Sequence, residues 1–451
     1  METQSWSRYV VVTVLAGALL HLFMGLVVLR NMPQTEDGPS YERQAVEIMR
    51  GDAEYFFFPP GTALVTSAFY SVFGFTSTVS HVVATLFWIG FACSSAWFAW
   101  LVLDDKRAAW IASVFGSFLP HSLLATTTLS SQPFAATLVT LACCFGIYAL
   151  QRRSLLYWSL LSIALSLAAI TRPAVLLLSV FAAAILLFGW HRSYVTLRSC
   201  LVALVVLVVA HLAIIIPVVQ HNVEQRQGYT ISTNNEWNLL VGNNPYTPDY
   251  KTGHFGQRTF DQLPDEVRTY FRTAIPHEQP AFATLDQRSM MQSMAVEYIA
   301  DHPGRFLYRL ANRFRCFWGM DYTASRELQN VYGFNGFATA SLLVIEGGAY
   351  VLITLLAFFY VGLRQENRYM PLILIVVALS LAPYLVAFSV AKYHTIVLPL
   401  LFPLSAAMVV WISKGFSDRQ LLRKRWYTLV IIAVIYATMQ IEHAIHIVDN
   451  Q

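Results

Sequence analysis

Long apolar runs separated by short polar segments fill most of this 451-residue chain. A helical run of about 20 residues crosses the roughly 30 Å hydrocarbon layer of a bilayer. Because eleven runs approach or reach this length, the pattern predicts an all-α polytopic membrane protein with about 11 transmembrane helices. The predicted spans cover about 9–29, 79–103, 108–126, 133–150, 155–170, 174–190, 200–219, 337–363, 370–390, 395–412 and 426–445. A shorter run at 62–75 is interpreted as a re-entrant or interfacial helix.

The polar segment that follows the first span, TEDGPSYERQAVEIMRGDAEYFFFPPG at 35–61, predicts a helix of its own. Pro39 suits the first helical position, and Gly51 suits the position just past the helix end. The apolar residues between them recur at helical spacing: Tyr41, Ala45, Ile48 and Met49. The segment therefore predicts a juxtamembrane helix that lies in the outer interface with its apolar face down.

A second polar segment, 220–335, holds 23 of the 56 charged residues and predicts one large extracytoplasmic loop. Its start, 229–250, is rich in Asn, Thr, Gly and Pro and predicts irregular structure. Its later part predicts two helices broken at 301–304, packed on the membrane domain as a lid. Their expected apolar faces are Met290, Met294 and Tyr298, then Phe306, Leu310 and Phe314. The chain thus divides into an N-terminal transmembrane module, 1–219, with a catalytic first outer loop, 30–60; the extracytoplasmic loop, 220–335; and C-terminal transmembrane helices, 336–451.

Composition supports a membrane protein and excludes a nucleic-acid partner. Only 12% of the residues are charged, against roughly 25% in an ordinary soluble domain. The net charge of +4 is small for this length, and the basic residues are better interpreted as topology signals. They gather at one set of span ends: Arg152, Arg153, Arg192, Lys414, Arg419, Arg423, Lys424 and Arg425. We therefore expect a multi-pass protein of the inner (plasma) membrane with a cytoplasmic N-terminus and an extracytoplasmic active site.

Charged residues at the outer span ends are the candidate chemistry. Asp37 follows the first span, while Arg172 and Lys392 lie at outer turns, where charge is costly without a function. Because nucleotide motifs such as GxxxxGK[ST] are missing from the sequence, the pattern favours an anionic, lipid-linked substrate such as a sugar on polyprenyl phosphate.

Transfer of that sugar to an acceptor hydroxyl needs a base and cations for the departing phosphate. Asp37 is the candidate base, and Arg172 and Lys392, with His221 and His394 as further candidates, are expected to bind the donor phosphate. The alternatives are that Asp37 only caps a helix and that the cations are interface anchors.

The order of these motifs resembles the GT-C superfamily of membrane glycosyltransferases, in the branch of the protein O-mannosyltransferases and the bacterial aminoarabinose transferase of lipid A. The resemblance is carried by Asp37, Tyr41, Ala45 and Gly51 before Pro59-Pro60, by Thr171-Arg172-Pro173, by 232–234 and 242–245, and by Lys392-Tyr393-His394. It implies a GT-C type fold and inverting transfer from a polyprenyl-phosphate sugar with Asp37 as base. It also implies a second acidic role for Glu36 and substrate binding by Tyr41, Tyr393, Asn243 and Asn244.

The chain departs from the family at Phe58, His221 and Gln132, where relatives carry basic or acidic residues, so the phosphate site must be built differently. No cofactor is indicated. A divalent metal is chemically possible but not indicated, because Glu36 and Asp37 are the one evident acidic pair and HExxH is missing. The expected partners are the polyprenyl-phosphate sugar donor, an acceptor lipid, glycan or protein, and the bilayer. The rival interpretations are a transporter or flippase of lipid-linked sugars and a polysaccharide polymerase or ligase.

Three further residues have two interpretations each. Glu346 lies in an apolar run beside two glycines and is either a functional carboxylate within the span or an interfacial one. Trp237 and Trp318 in the outer loop either stack on a sugar ring or belong to an aromatic belt.

Overall fold

The computed structural model describes residues 2–152, 154–191, 196–250, 260–277, 279–363, 367–415 and 419–448. Arg153 and Arg192 of the predicted inner basic groups lie outside these ranges. The described chain is helical and contains no strand. Its helices are α1 Glu2–Phe23, α2 Gly38–Arg50, α3 Gly61–Phe73, α4 Ser77–Val102, α5 Lys106–Phe118, α6 Pro120–Leu124, α7 Ser131–Arg152, α8 Leu155–Thr171, α9 Leu176–His191, α10 Leu197–Glu224, α11 Asn235–Gly242, α12 Asp265–Arg272, α13 Leu285–Asp301, α14 Pro303–Phe317, α15 Thr323–Tyr332, α16 Gly336–Leu363, α17 Met370–Val386, α18 Leu398–Ser413 and α19 Arg419–Val448.

Six described helices are long and apolar enough to cross a membrane, which fits a polytopic membrane protein. They are Ser7–Val28, Ser77–Val102, Ser131–Arg152, Leu197–Glu224, Gly336–Leu363 and Gln420–Ile445. Five further apolar helices are shorter, at Gly61–Phe73, Leu155–Thr171, Pro173–Ala184, Met370–Val386 and Leu398–Ser413. The count of about 11 spans and the three-part division of the chain stay predictions.

The helices separate into a packed centre and an apolar periphery. The largest buried apolar cluster lies among α4, α5, α7, α8, α16, α17 and α18. By contrast, Leu19 of α1, Val205 of α10 and Val434 of α19 are exposed. Contiguous apolar surface of this kind is rare on soluble monomers, so these three helices are suited to face lipid.

The run expected to form one span at 108–126 is broken in the structure. Helix α5 ends at Phe118, and α6 begins at Pro120. Leu119 between them has φ −58° and ψ 120°, outside the helical region, because a residue before proline is sterically pushed toward extended conformations. The break places His121 in a separate short helix, α6.

The helix predicted after the first span is confirmed as α2, and its position in the membrane interface stays a prediction. Proline occupies its first turn, and Gly51 ends it in the left-handed conformation, at φ 76°, that glycine adopts without steric cost. Tyr41 and Ala45 are buried, and Ala45 packs with Ala63 and Tyr70 of α3. Helix α2 is thus fixed on the membrane domain by the face that the sequence predicts.

The start of the outer loop is more ordered than its composition predicts. Within 229–250 the chain forms α11, whose Trp237, Leu240 and Val241 are buried. They pack against Met291 and Ala295 of α13. The apolar contact with α13 outweighs the turn-forming composition around α11.

Helix α14 presents a different face inward from the expected one. Arg309 and Arg313 are fully buried, whereas Phe314 is exposed. Arg309 donates to the Asn244 carbonyl at 2.9 Å, and Arg313 donates to the Leu385 carbonyl at 2.7 Å. The expected apolar face is wrong because these guanidiniums satisfy carbonyls near the ends of α11 and α17 that are left unpaired by the helices themselves.

Candidate active site

The segment before α2 is held by hydrogen bonds to the chain that precedes α7. The Gln34 side chain donates to the Thr127 carbonyl at 2.8 Å and accepts from the Leu129 amide at 2.7 Å. The next acid, Glu36, has a φ of 54°, a left-handed conformation that is uncommon outside glycine. These contacts fix the segment that carries Glu36 and Asp37 against the chain that precedes α7.

Asp37 occupies the residue before α2, yet its side chain makes no capping hydrogen bond to that helix. Its Oδ2 instead accepts from Lys392 Nζ at 3.3 Å, and Glu36 Oε1 lies 3.4 Å from the same Nζ. Lys392 belongs to the 3₁₀ segment Ala391–Ile396 between α17 and α18. One lysine from the C-terminal third of the chain therefore contacts both acids of the first outer loop.

The local electrostatics follow from this shared ion pair. Burial opposes the charge on Lys392, but Asp37 and Glu36 outweigh burial and raise the Lys392 pKa above its ordinary value. Burial raises the pKa of Glu36, and Lys392 partly opposes that rise. The Asp37 side chain stays 42% exposed, so its carboxylate remains open to a substrate.

A cavity of about 410 Å³ lies beside Asp37, at the C-terminal ends of α8 and α17 and the start of α11. Its wall combines an acid, an arginine, tyrosines and amides with apolar side chains. The lining residues that carry polar groups are Asp37, Tyr41, Ser131, Thr171, Arg172, Asn234, Asn235, Trp237, Asn238, Tyr384 and Tyr393. The cavity is large enough for a sugar and one phosphate group.

Arg172, in the turn after α8, lines this cavity. It adopts an extended backbone, with φ −148°, directly before Pro173. Its guanidinium lies 4.8 Å from the ring centre of Tyr393 and 5.6 Å from that of Tyr384. Its Nη1 has no hydrogen-bond partner among the described residues. The two tyrosines position a buried cation whose hydrogen-bonding capacity is not fully used.

Tyr41 lines the same cavity as Asp37 and Pro59. It is buried and packs on Phe58 with ring centres 5.4 Å apart. Burial, with the nearby Asp37 carboxylate, raises the pKa of Tyr41 to about 12. Its hydroxyl is therefore a neutral hydrogen-bonding group at physiological pH.

Six of the predicted site residues are not among the described lining of this cavity: Glu36 and Lys392, which pair with each other beside Asp37, and His394, His221, Asn243 and Asn244. His394 is buried, stacks on Tyr350 and donates from Nδ1 to the Phe317 carbonyl at 3.1 Å. His221 stacks on Phe56 at the end of α10. The amides of Asn243 and Asn244 hydrogen-bond to neighbouring protein groups, the Val386 carbonyl and Thr247 Oγ1 among them.

A second, much smaller cavity, of about 30 Å³, lies on the other side of Lys392. Glu36, His121, Gln132 and Glu327 line it together with Lys392. Asp37 lines the large cavity, whereas Glu36 lines the small one. The two neighbouring acids therefore line different cavities.

The sequence interpretation missed Tyr384, Asn235 and Asn238 of the large cavity, whereas Asn234 belongs to the motif at 232–234. Tyr384 was hidden in a predicted span, although the preceding Pro383 marks an irregularity there. Trp237 lines the cavity beside Asn234 and Asn238, and its buried ring also packs on Phe260 and Phe271. Trp318 instead packs on Phe317 and Phe358.

Among the comparisons with known proteins, only the search of solved structures finds similar chains. No family model matches the chain, and a search of curated proteins finds no significant match. Among solved structures, the chain is similar to the oligosaccharyltransferase of Archaeoglobus fulgidus, in its apo form and in its complex with Zn and sulfate. The sequence identities are 12% and 14%, and the TM-score is 0.47 for both.

These alignments cover 96% and 95% of the present chain but 55% and 53% of the solved chains, so the chain spans about half their length. At this identity and TM-score, the function has to be inferred from the residues of the site.

Proposed function

We propose that this chain is a GT-C type glycosyltransferase that moves a sugar from a polyprenyl-phosphate donor to an acceptor on the extracytoplasmic face. The supporting observation is that an open carboxylate, Asp37, and an incompletely paired cation, Arg172, line one cavity. Transfer from an anionic donor needs a base for the acceptor hydroxyl and a cation for the leaving phosphate, close enough together to contact the same substrate.

The proposed reaction is a single displacement. The Asp37 carboxylate takes the proton from an acceptor hydroxyl while the hydroxyl oxygen forms a bond to the anomeric carbon. The bond between that carbon and the donor phosphate oxygen breaks, and the electron pair leaves with the lipid phosphate. Attack opposite to the leaving group inverts the configuration of the sugar.

Arg172 is the proposed partner of the leaving phosphate. An arginine binds phosphate oxygens with a planar fork of N–H donors, and such charge-assisted bonds are stronger than neutral ones. Tyr384 and Tyr393 hold the guanidinium between their rings. The cation is therefore already oriented when charge grows on the phosphate, which is the condition for efficient electrostatic stabilisation.

Lys392 has a different proposed role from the one expected from the sequence. It contacts Asp37 and Glu36 and lines the small cavity. We assign it to positioning Asp37 and to favouring the charged form of that carboxylate, rather than to direct phosphate binding. Trp237 and the asparagines beside it, Asn234 and Asn238, are the proposed contacts to the sugar.

The test uses purified full-length protein, a panel of polyprenyl-phosphate sugars and measurement of released lipid phosphate. Asparagine cannot serve as the proton acceptor, but it keeps the size of the side chain and an oxygen that can accept a hydrogen bond from Lys392 Nζ. Asp37→Asn should therefore keep donor binding and thermal stability while lowering turnover by about 10²–10⁴-fold, the usual share of a general base.

Glu36→Gln is the matched control, because it removes an equal charge that contacts the same lysine. We expect a smaller loss than for Asp37→Asn. Near-normal turnover of Asp37→Asn protein that still binds donor contradicts the proposed base. Movement of lipid between leaflets without any release of lipid phosphate supports the flippase instead.

A further inference from the structure

Three residues that the proposed transfer reaction does not use meet behind the acidic pair. They are His121 at the start of α6, Asp321 between α14 and α15, and Glu346 inside α16. Asp321 and Glu346 are buried, and the His121 side chain is 12% exposed. One ligand-type atom from each lies within 4.8 Å of the others. They bring together the three parts into which the sequence divides the chain.

Glu346 fixes the orientation of His121. Its Oε1 lies 2.6 Å from His121 Nδ1, and its Oε2 accepts from the Ser325 amide at 2.9 Å and from the Ser325 hydroxyl. A carboxylate only accepts, so the proton of this bond is on Nδ1. The other ring nitrogen, Nε2, is thereby directed away from Glu346.

Asp321 faces that second nitrogen. Its Oδ1 accepts from the amide and hydroxyl of Thr323, at 3.0 and 2.7 Å. Its buried Oδ2 has no hydrogen-bond partner among the described residues and lies 3.7 Å from His121 Nε2. This distance is too long for a hydrogen bond. With Nδ1 protonated, a neutral imidazole would leave two acceptors facing each other, an arrangement that burial makes costly.

The gap matches the separation of two ligands on one metal ion. Bond lengths of about 2.0–2.2 Å to nitrogen and oxygen place two ligands roughly 3.4 Å apart at a tetrahedral angle. We propose that His121 Nε2 and Asp321 Oδ2 bind a divalent cation, Zn²⁺ or Mn²⁺, with Glu346 as the carboxylate that orients the histidine. The adjoining small cavity, lined by Thr323 and Glu327, has room for a water ligand.

The proposed ion has a structural role. Asp321 precedes α15, while His121 and Glu346 belong to helices on the membrane side. The ion would hold the end of the outer loop against α6 and α16. The site is separate from Asp37 and Arg172, and none of its three residues is among the described lining of the large cavity. Its occupancy can therefore be tested without the transfer reaction.

The experiment uses untagged full-length protein that has been stripped with a chelator and dialysed. Bound Zn²⁺ and Mn²⁺ are measured by mass spectrometry after equilibration over a range of free-ion concentrations, and thermal unfolding is followed with Zn²⁺, Mn²⁺ and Mg²⁺. We expect one ion per chain and a Tm that rises with Zn²⁺ or Mn²⁺, since a ligand of the folded state stabilises it.

Asp321→Asn keeps an acceptor for Thr323 and should lower metal affinity by more than about 100-fold. Glu346→Gln should lower it by about 10–100-fold, the usual cost of removing an orienting carboxylate. His302→Gln removes an exposed outer-loop histidine and should leave affinity unchanged. His121→Gln provides a second ligand variant if Asp321→Asn is poorly folded.

Equal metal content and equal Tm response in wild type, Asp321→Asn and His121→Gln would overturn the site. The same holds for a wild-type protein that binds neither ion. In that case the two carboxylates hold a protonated imidazole, and the stability of the metal-free protein should fall as the pH rises and His121 loses its second proton.

Discussion

Replacing Arg172 by glutamine separates a phosphate ligand from an interface anchor. The guanidinium contributes two kinds of interaction that the variant loses. Contact with the rings of Tyr384 and Tyr393 is available without substrate, at about 0.5–2 kcal/mol each. Contact with the donor phosphate forms only in the complex, and a hydrogen bond to a charged group is typically worth about 1.5–3 kcal/mol. The first loss lowers the stability of the free protein, and the second lowers donor use.

The two losses can be measured separately. Since about 1.4 kcal/mol is a factor of ten, loss of the phosphate contact should lower kcat/KM for the donor by roughly 10–150-fold. Charge on the phosphate grows toward the transition state, so part of the loss should appear in kcat. Arg172→Lys keeps the charge but loses the fork, and its activity should lie between wild type and Arg172→Gln.

The assay is release of lipid phosphate against donor concentration, with Tm measured for each variant. Arg50→Gln is the control, because Arg50 is an exposed arginine at the end of α2. Unchanged donor dependence in Arg172→Gln, whether or not Tm falls, refutes the assignment. Arg172 would then be an anchor held by tyrosines.

Two further predictions concern Lys392 and the topology. Lys392→Met should move the acid limb of the kcat/KM profile to higher pH by at least about one unit, since a charged hydrogen bond of about 1.5 kcal/mol favours the ionised base. The control Lys414→Met removes a lysine paired with Asp105 and should leave the profile in place. An unshifted acid limb in Lys392→Met contradicts the positioning role. Cysteine at exposed Ser289 should react with an impermeant maleimide in intact cells, above the wild-type background, and cysteine at exposed Ser413 should not; the reverse labelling would invert the proposed topology.

Local signals explain which elements could be predicted. Helix α2 follows from Pro39 and Gly51, because each residue acts on its own backbone conformation and needs no distant partner. The break between α5 and α6 also had a local signal in Pro120, which hydropathy averaging over a long window obscured. The buried residues of α11, Trp237, Leu240 and Val241, have helical spacing within a segment dominated by turn residues.

Distant contacts explain what could not be predicted. Lys392 and Asp37 are 355 positions apart, and no periodicity in the sequence relates them. The burial of Arg309 and Arg313 could not be predicted, because charge is usually exposed and the carbonyls that they bind come from other segments. Glu346 had two open interpretations, and its full burial with His121 and Ser325 could not be predicted because both partners come from other segments.

Glu36 and Asp37 share one cation, Lys392, although they line different cavities. Lys392 contacts both Glu36 and Asp37, so its single charge cannot neutralise both carboxylates. Because burial raises the pKa of Glu36, Glu36 takes up a proton at a higher pH than an ordinary glutamate. Protonation of Glu36 would leave Lys392 paired with Asp37 alone. In the proposed reaction this arrangement would favour the ionised form of the base.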